Sequence, residues 1–203
     1  MRPKSASFTV ALIIVLASVR YPRALERHQE RDAPDFRVQV WGDVITDFSM
    51  RVWSYFDLRS KLEKDLPALI VTDDPDEIRR TVRALAERIR VARAGAKEGD
   101  IFTATISTEF RKALLPAMNA STLSAIMDDN PGKLSARIND TYPEGKPVST
   151  VPPNILAILP SLPDDIEYRF LGRHLILLDT RAGVIIDRIP HVIQCAESST
   201  RHR

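Results

Sequence analysis

The chain has 203 residues, 44% of them hydrophobic, with 29 Lys and Arg against 27 Asp and Glu; this is enough length and apolar content for one domain with a real core, and it argues against disorder outside the ends. The basic excess sits at the start, because residues 1–24 hold Arg2, Lys4, Arg20 and Arg23 and no acid; the remainder is slightly acidic, and a nucleic-acid partner is not expected. Cys195 is the one cysteine, which excludes an intramolecular disulfide and a thiolate metal cluster.

In chain order, Arg2 and Lys4 precede Phe8 to Val19, an apolar run interrupted only by Thr9 and Ser18 and ended by Arg20, Tyr21, Pro22 and Arg23. A basic start followed by such a run is the pattern of an export signal, and the run is shorter than the ~20 apolar residues an ordinary membrane-crossing helix needs. The expectation is an export signal or N-terminal anchor over 1–24, cleaved or retained. A flexible linker over 25–42 follows, and a single α+β domain over 43–190.

Trp41, Ile45, Phe48, Val52, Tyr55 and Leu62 recur at helical spacing and predict a first helix from about Asp43, or from nearer Asp35, to Lys64, with Trp53 and Phe56 widening its buried stripe. Thr72-Asp73-Asp74-Pro75 announces a second helix whose stripe is Ile78, Val82, Leu85, Ile89 and Ala92, with Gly95 as its terminator. Arg79, Arg80, Arg83, Arg88, Arg90 and Arg93 fall outside that stripe and read as a solvated face, partly neutralised by Asp76 and Glu87. Thr103 or Thr105 caps a third helix carrying Ile106, Phe110, Leu114 and Met118, and a fourth runs from Ser121 to Asp128 before Asn130-Pro131-Gly132 stops it. Leu134 to Ile138 reads as a short strand, followed by a proline-stiffened connection from Tyr142 to Pro163.

The last ordered stretch is a meander. Ile166 to Leu171, Leu175 to Leu178 and Val184 to Ile189 are apolar runs separated by Gly172-Arg173 and by Thr180 to Gly183, the spacing of two antiparallel hairpins. The middle run, Leu175-Ile176-Leu177-Leu178, is apolar throughout and requires cover on both faces. A three-stranded meander needs a helical partner, so the fold class is α+β: three or four N-terminal helices packed on a small C-terminal antiparallel sheet. Residues 191–203 form a disordered tail.

The segments Gly99-Asp100-Ile101-Phe102-Thr103, Tyr142-Pro143-Glu144-Gly145 and Glu167-Tyr168-Arg169-Phe170-Leu171-Gly172-Arg173-His174-Leu175-Ile176-Leu177-Leu178-Asp179 resemble an uncharacterised family of exported bacterial proteins. With Asp47 to Leu69 the resemblance covers most of the chain after residue 43. It implies a bacterial, envelope-facing context and carries over no activity, cofactor or site residue.

The chain contains no Walker-type loop, G-x-G-x-x-G, H-E-x-x-H or G-x-S-x-G, so no motif brings a mechanism with it and no cofactor is expected. Alternation puts His174 and Asp179 on opposite faces of one strand, which forbids a shared metal; His174 with Asp187 depends on the register of the second hairpin, and no metal site is expected. His191 is the other histidine near the meander. The carboxylate pairs available for acid–base work are Asp100 with Glu109 and Asp179 with Asp187. Arg169, Arg173 and Asp179 are the candidate binding residues, with a salt bridge from the arginines to Glu167 or Asp165 as the competing reading. The expected function is a non-enzymatic exported binding or scaffolding module of the bacterial envelope, with an envelope protein or ligand as partner. It would touch the membrane only through residues 8–19 if the leader stays uncut. The alternative is a carboxylate-dependent hydrolase acting in the periplasm.

Overall fold

A computed structural model describes residues 36–64, 66, 74–132, 134–135, 137–143 and 145–193; the expected leader, most of the expected linker and nearly all of the expected tail lie outside them. Helix α1 (Phe36–Lys64) is followed by α2 (Pro75–Ala92), α3 (Ala104–Leu114) with a 3-10 turn at Leu115–Ala117, α4 (Ala120–Asp128) and the single turn α5 (Pro153–Leu156). Strands β1 (Ile166–Leu171), β2 (His174–Asp179) and β3 (Val184–Ile189) close the chain. They form one antiparallel sheet in the order β1-β2-β3. The α+β class and the meander stand as the periodicity predicts.

α1 begins at Phe36, inside the stretch expected to be linker, because Phe36 to Trp41 contains neither Gly nor Pro and nothing stops the helix there. Its buried residues, Val44, Phe48, Val52, Tyr55 and Arg59, follow helical spacing. Phe48 is the centre of the packing, with its ring centroid 5.5 Å from Phe102, 5.1 Å from Phe110 and 6.2 Å from Tyr168. Trp53, expected to widen the stripe, is 51% exposed and makes an edge-to-face contact with Phe56. At ~100° per residue it lies ~140° around the helix from Phe48, on the side turned away from the sheet.

Asp74 caps α2, its carboxylate accepting from Asp76 N–H at 2.8 Å, with Pro75 in the first turn. Only the second half of α2 reaches the core, through Leu85, Ala86 and Ile89; Ile78 is exposed. The arginine face is not wholly solvated. Arg88 donates to Leu62 O at 3.1 Å and Arg93 to Ile186 O at 3.1 Å, while Arg79 and Arg90 pair with Asp76 and Glu87. Thr103 and Asn119 cap α3 and α4 through Ile106 N–H and Thr122 N–H.

The two faces of the sheet have different covers. Ile166, Tyr168, Phe170, Leu175, Leu177, Val184, Ile186 and Ile189 join the helices in one core. Leu171, Ile176, Leu178 and Ile185 form a second, smaller cluster under Leu134, Ile138 and Tyr142. The expected strand at 134–138 is therefore a lid over that face. Asn139, at φ 67°, turns the chain out of the extended region, and the pairing reduces to a bridge between Thr141 and Val184. The expected disordered tail also starts too early, since Val192 and Ile193 are buried and Ile193 N–H reaches Arg173 O at 3.3 Å.

Two features fix the register. Gly172, at φ 58°, forms the two-residue turn closed by Leu171 and His174, and a Cβ there would stand 3.0 Å from Gly132 O. Asn130 clasps the same turn, accepting from Gly172 N–H at 2.9 Å and donating to Gly172 O at 2.8 Å. In the second hairpin the pairing steps from Leu177↔Asp187 to Leu178↔Ile185. This bulge at Ile186 returns Asp187 to the helix-facing side shared by Leu177 and Asp179.

Candidate functional site

The bulge brings two fully buried carboxylates onto one face, Asp179 and Asp187, each with 0% exposure. Asp187 Oδ1 accepts from Gly99 N–H at 3.0 Å and Arg188 N–H at 2.8 Å; Oδ2 accepts from Ile101 N–H at 2.7 Å and Phe102 N–H at 2.8 Å. A buried carboxylate with this many amide donors is satisfied without a counter-ion, and it moulds the Gly99–Thr103 connection that leads into α3. Asp179 Oδ2 accepts from Tyr55 Oη–H at 2.7 Å; Oδ1 accepts from Ala182 N–H at 3.0 Å and lies 3.5 Å from Arg59 Nη1. Arg59, 3% exposed, reaches Asp165 at 3.3 Å and Asp164 O at 3.3 Å and lies over the Phe56 ring. Burial pushes the Asp179 carboxyl up, opposed by the Tyr55 hydrogen bond and Arg59. Burial and then Asp179 push the Tyr55 phenol well above the ordinary tyrosine value.

In front of these groups lies a cleft of about 920 Å³ along the outer side of α1. Tyr55, Arg93 and Ile101 form its inner wall, and Met50, Trp53, Asp57 and Lys61 stand along α1 at its mouth. The Arg93 guanidinium lies 5.1 Å from the Tyr55 ring centroid, and its buried Nη1 has no hydrogen-bond partner among the described residues. Burial lowers the Arg93 pKa, opposed by Tyr55, Asp187 and Asp100. Arg51 closes one end, held by Asp47 at 2.8 Å and donating to Asp100 O at 2.9 Å.

The residues singled out from sequence scatter. Arg169 pairs with Glu167, and Arg173 Nε donates to Ile193 O at 2.8 Å. Asp179 sits behind Tyr55, where it holds the fold rather than facing a ligand. Glu109 pairs with Lys112 at 2.7 Å on α3, away from Asp100 in the cleft. Asp179 and Asp187 do share a face, but their oxygens are taken by hydrogen bonds. Asp187 is turned to the helices and does not meet His174. The partner of His174 is His191, with ring centroids 5.2 Å apart and His191 N–H donating to His174 Nδ1 at 3.2 Å. Among the described residues no group of three or more His, Cys, Asp or Glu is arranged to hold a metal. Tyr55 and Arg93 read from sequence as a core residue and as part of a solvated arginine face, not as site residues, and Arg59 is not picked out; the signal for it is its place four residues after Tyr55 on the apolar stripe.

The His174 environment gives a pH prediction. Burial first, then Arg188 and His191, lower its pKa below 6.5, opposed by Glu98. The unfolded chain therefore binds the proton first on acidification, so this contribution to stability is full above 6.5 and is lost as pH falls through the folded-state value. Urea midpoints measured at about pH 7.5 and about pH 5 should differ less in His174→Gln than in the wild type. An unchanged difference would remove the assignment.

Among the described residues no helix is long and apolar enough to cross a membrane. No family model, curated protein or solved structure matches the chain.

Proposed function

We propose that this protein is a non-enzymatic binding or scaffolding module exported to the bacterial envelope, with the α1 cleft as its ligand site. The observation that carries the reading is the contrast between the two sides of that cleft. Its wall, Tyr55 and Arg93, is backed by buried Asp179 and Asp187, whereas Met50, Trp53, Asp57 and Lys61 remain open at the mouth. A rigid polar wall beside an exposed aromatic suits recognition, and the most deeply buried carboxylates are used as acceptors within the fold. Export is supported by the basic and then apolar pattern of residues 1–19. The second reading, a periplasmic hydrolase, is favoured by Asp47, Asp57 and Asp100 all lining the cleft.

Fractionating bacteria that express the full chain, and sedimenting the purified protein with washed envelopes, tests both. The expected result is protein in the periplasmic or membrane fraction that is retained on envelopes, releases no sugar or peptide from them, and loses about tenfold in retention on Trp53→Ser. Cytoplasmic protein, or protein not retained, overturns the proposal. Release of envelope fragments that disappears in Asp57→Asn replaces it with the hydrolase.

A further inference from the structure

We propose that the open edge of β1 docks an extended polypeptide segment carrying one bulky aliphatic side chain, at a site separate from the α1 cleft. β1 is an outer strand. Leu171 pairs with His174 across the two-residue turn, so the ladder hydrogen bonds fall on Leu171, Arg169 and Glu167, and the main-chain groups of Phe170, Tyr168 and Ile166 point away from β2. Two contacts agree with that alternation. Ser149 Oγ donates to Phe170 O and accepts from Phe170 N–H, and Thr180 N–H donates to Asp165 O at 2.8 Å. Ser149 fills the edge at Phe170, and Pro163 O takes Ile166 N–H at 3.2 Å. Between them, Tyr168 N–H, Tyr168 O and Ile166 O meet no protein group among the described residues. Main-chain groups in such a setting are nearly always paired.

Ile166 and Tyr168, which carry these three groups, line a cavity of about 330 Å³. Its lining takes Ile166 and Tyr168 from the helix side of the sheet and Glu167 and Arg169 from the other, which places it at the strand edge. Val151, Leu159 and Ile166 give it a buried apolar floor, and Leu156 at its rim is 47% exposed. One donor and two acceptors at strand spacing match the main chain of an extended residue and the residue two positions along, and the adjoining apolar pocket takes a side chain. Two other occupants fit worse. An acyl chain fills the pocket but leaves three polar groups unmet. A free anion finds the Arg169 guanidinium already paired with Glu167, and only its buried Nε is without a partner among the described residues.

The test titrates capped peptides, acetyl-Thr-Thr-Xaa-Thr-Thr-amide with Xaa as Leu, Ile, Ala or Lys, to ~5 mM into the ¹⁵N-labelled full chain while the Tyr168 amide is followed. The Leu and Ile peptides are expected to shift it with Kd on the order of 0.1–1 mM, and the Ala peptide about tenfold more weakly. N-methylation at Xaa should abolish the shift. Leu156→Glu should weaken binding about tenfold while Trp53→Ser leaves it unchanged, so this site and the α1 cleft fail or succeed separately. The proposal is overturned if no peptide shifts Tyr168, if the Leu, Ala and N-methylated peptides act alike, or if decanoate alone binds in their place. It is also overturned if the Tyr168 amide of the free protein exchanges with deuterium as slowly as the ladder amides of Arg169 and Glu167.

Discussion

Asp187→Ala is expected to lower the unfolding free energy by about 3–5 kcal/mol, because four amides, those of Ile101 and Phe102 buried and those of Gly99 and Arg188 part-buried, lose their acceptor at once. The amides of Gly99, Ile101 and Phe102 all converge on this one carboxylate. Alanine supplies no oxygen, and water would have to enter a region packed by Phe48, Phe102 and Phe110 to replace it. Urea denaturation followed by far-UV circular dichroism reads the loss as a lower midpoint at an unchanged slope. Asp187→Asn keeps the shape and one acceptor oxygen and should fall between the wild type and alanine. A midpoint unmoved in Asp187→Ala would mean that the Gly99–Thr103 connection does not need its clasp.

Arg59→Met is expected to cost about 3 kcal/mol near neutral pH, since it leaves the buried Asp179 carboxylate with the Tyr55 hydroxyl and the Ala182 and Arg181 amides but no counter-charge beside it. The loss depends on pH. The folded-state Asp179 pKa is raised above 3.8, so the folded protein holds this proton more tightly than the unfolded chain; the associated stability is present below the unfolded value and is lost as pH rises through the folded one. Removing Arg59, which favours the ionised form, raises the folded value further. The deficit of Arg59→Met should therefore shrink as pH falls towards ~4. The Arg59→Met/Asp179→Asn double variant should regain most of the stability, because the pair is then neutral and no charge is left buried alone. Equal deficits at pH ~7 and ~4, or no recovery in the double variant, would show that the Arg59 guanidinium acts through the Phe56 ring and Asp164 O rather than through Asp179.

The meander was readable because Gly172 and Gly183, at φ 58° and 62°, mark its turns and apolar runs lie between them. The bulge was not, since Val184-Ile185-Ile186 is apolar at every position and alternation cannot say which of the three is extra. That one residue decides whether Asp187 faces the helices, so the second buried carboxylate lay beyond the pattern. Arg59 was hidden for a different reason. A charged residue on an apolar stripe looks like an interruption until its partner is known, and Asp179 lies 120 positions further along. Trp53 misled because an aromatic carries the same hydrophobic weight whichever way it points. Leu134 and Ile138 were read as a strand because a lid and a strand both present apolar side chains to a sheet. The cleft joins residues of α1 to Arg93 and Asp100, and no periodicity in either segment could announce that meeting.

Asn130, at the end of α4, bonds both main-chain groups of Gly172 at the tip of the first hairpin. The hairpin tip and the helical half are thereby locked across 42 positions of chain. Melting either half alone would break that clasp, so thermal unfolding is expected to follow a single cooperative transition, with coincident loss of helix and aromatic signals. Closing so long a loop before its contacts are rewarded also sets a slow folding rate relative to helical bundles of similar size.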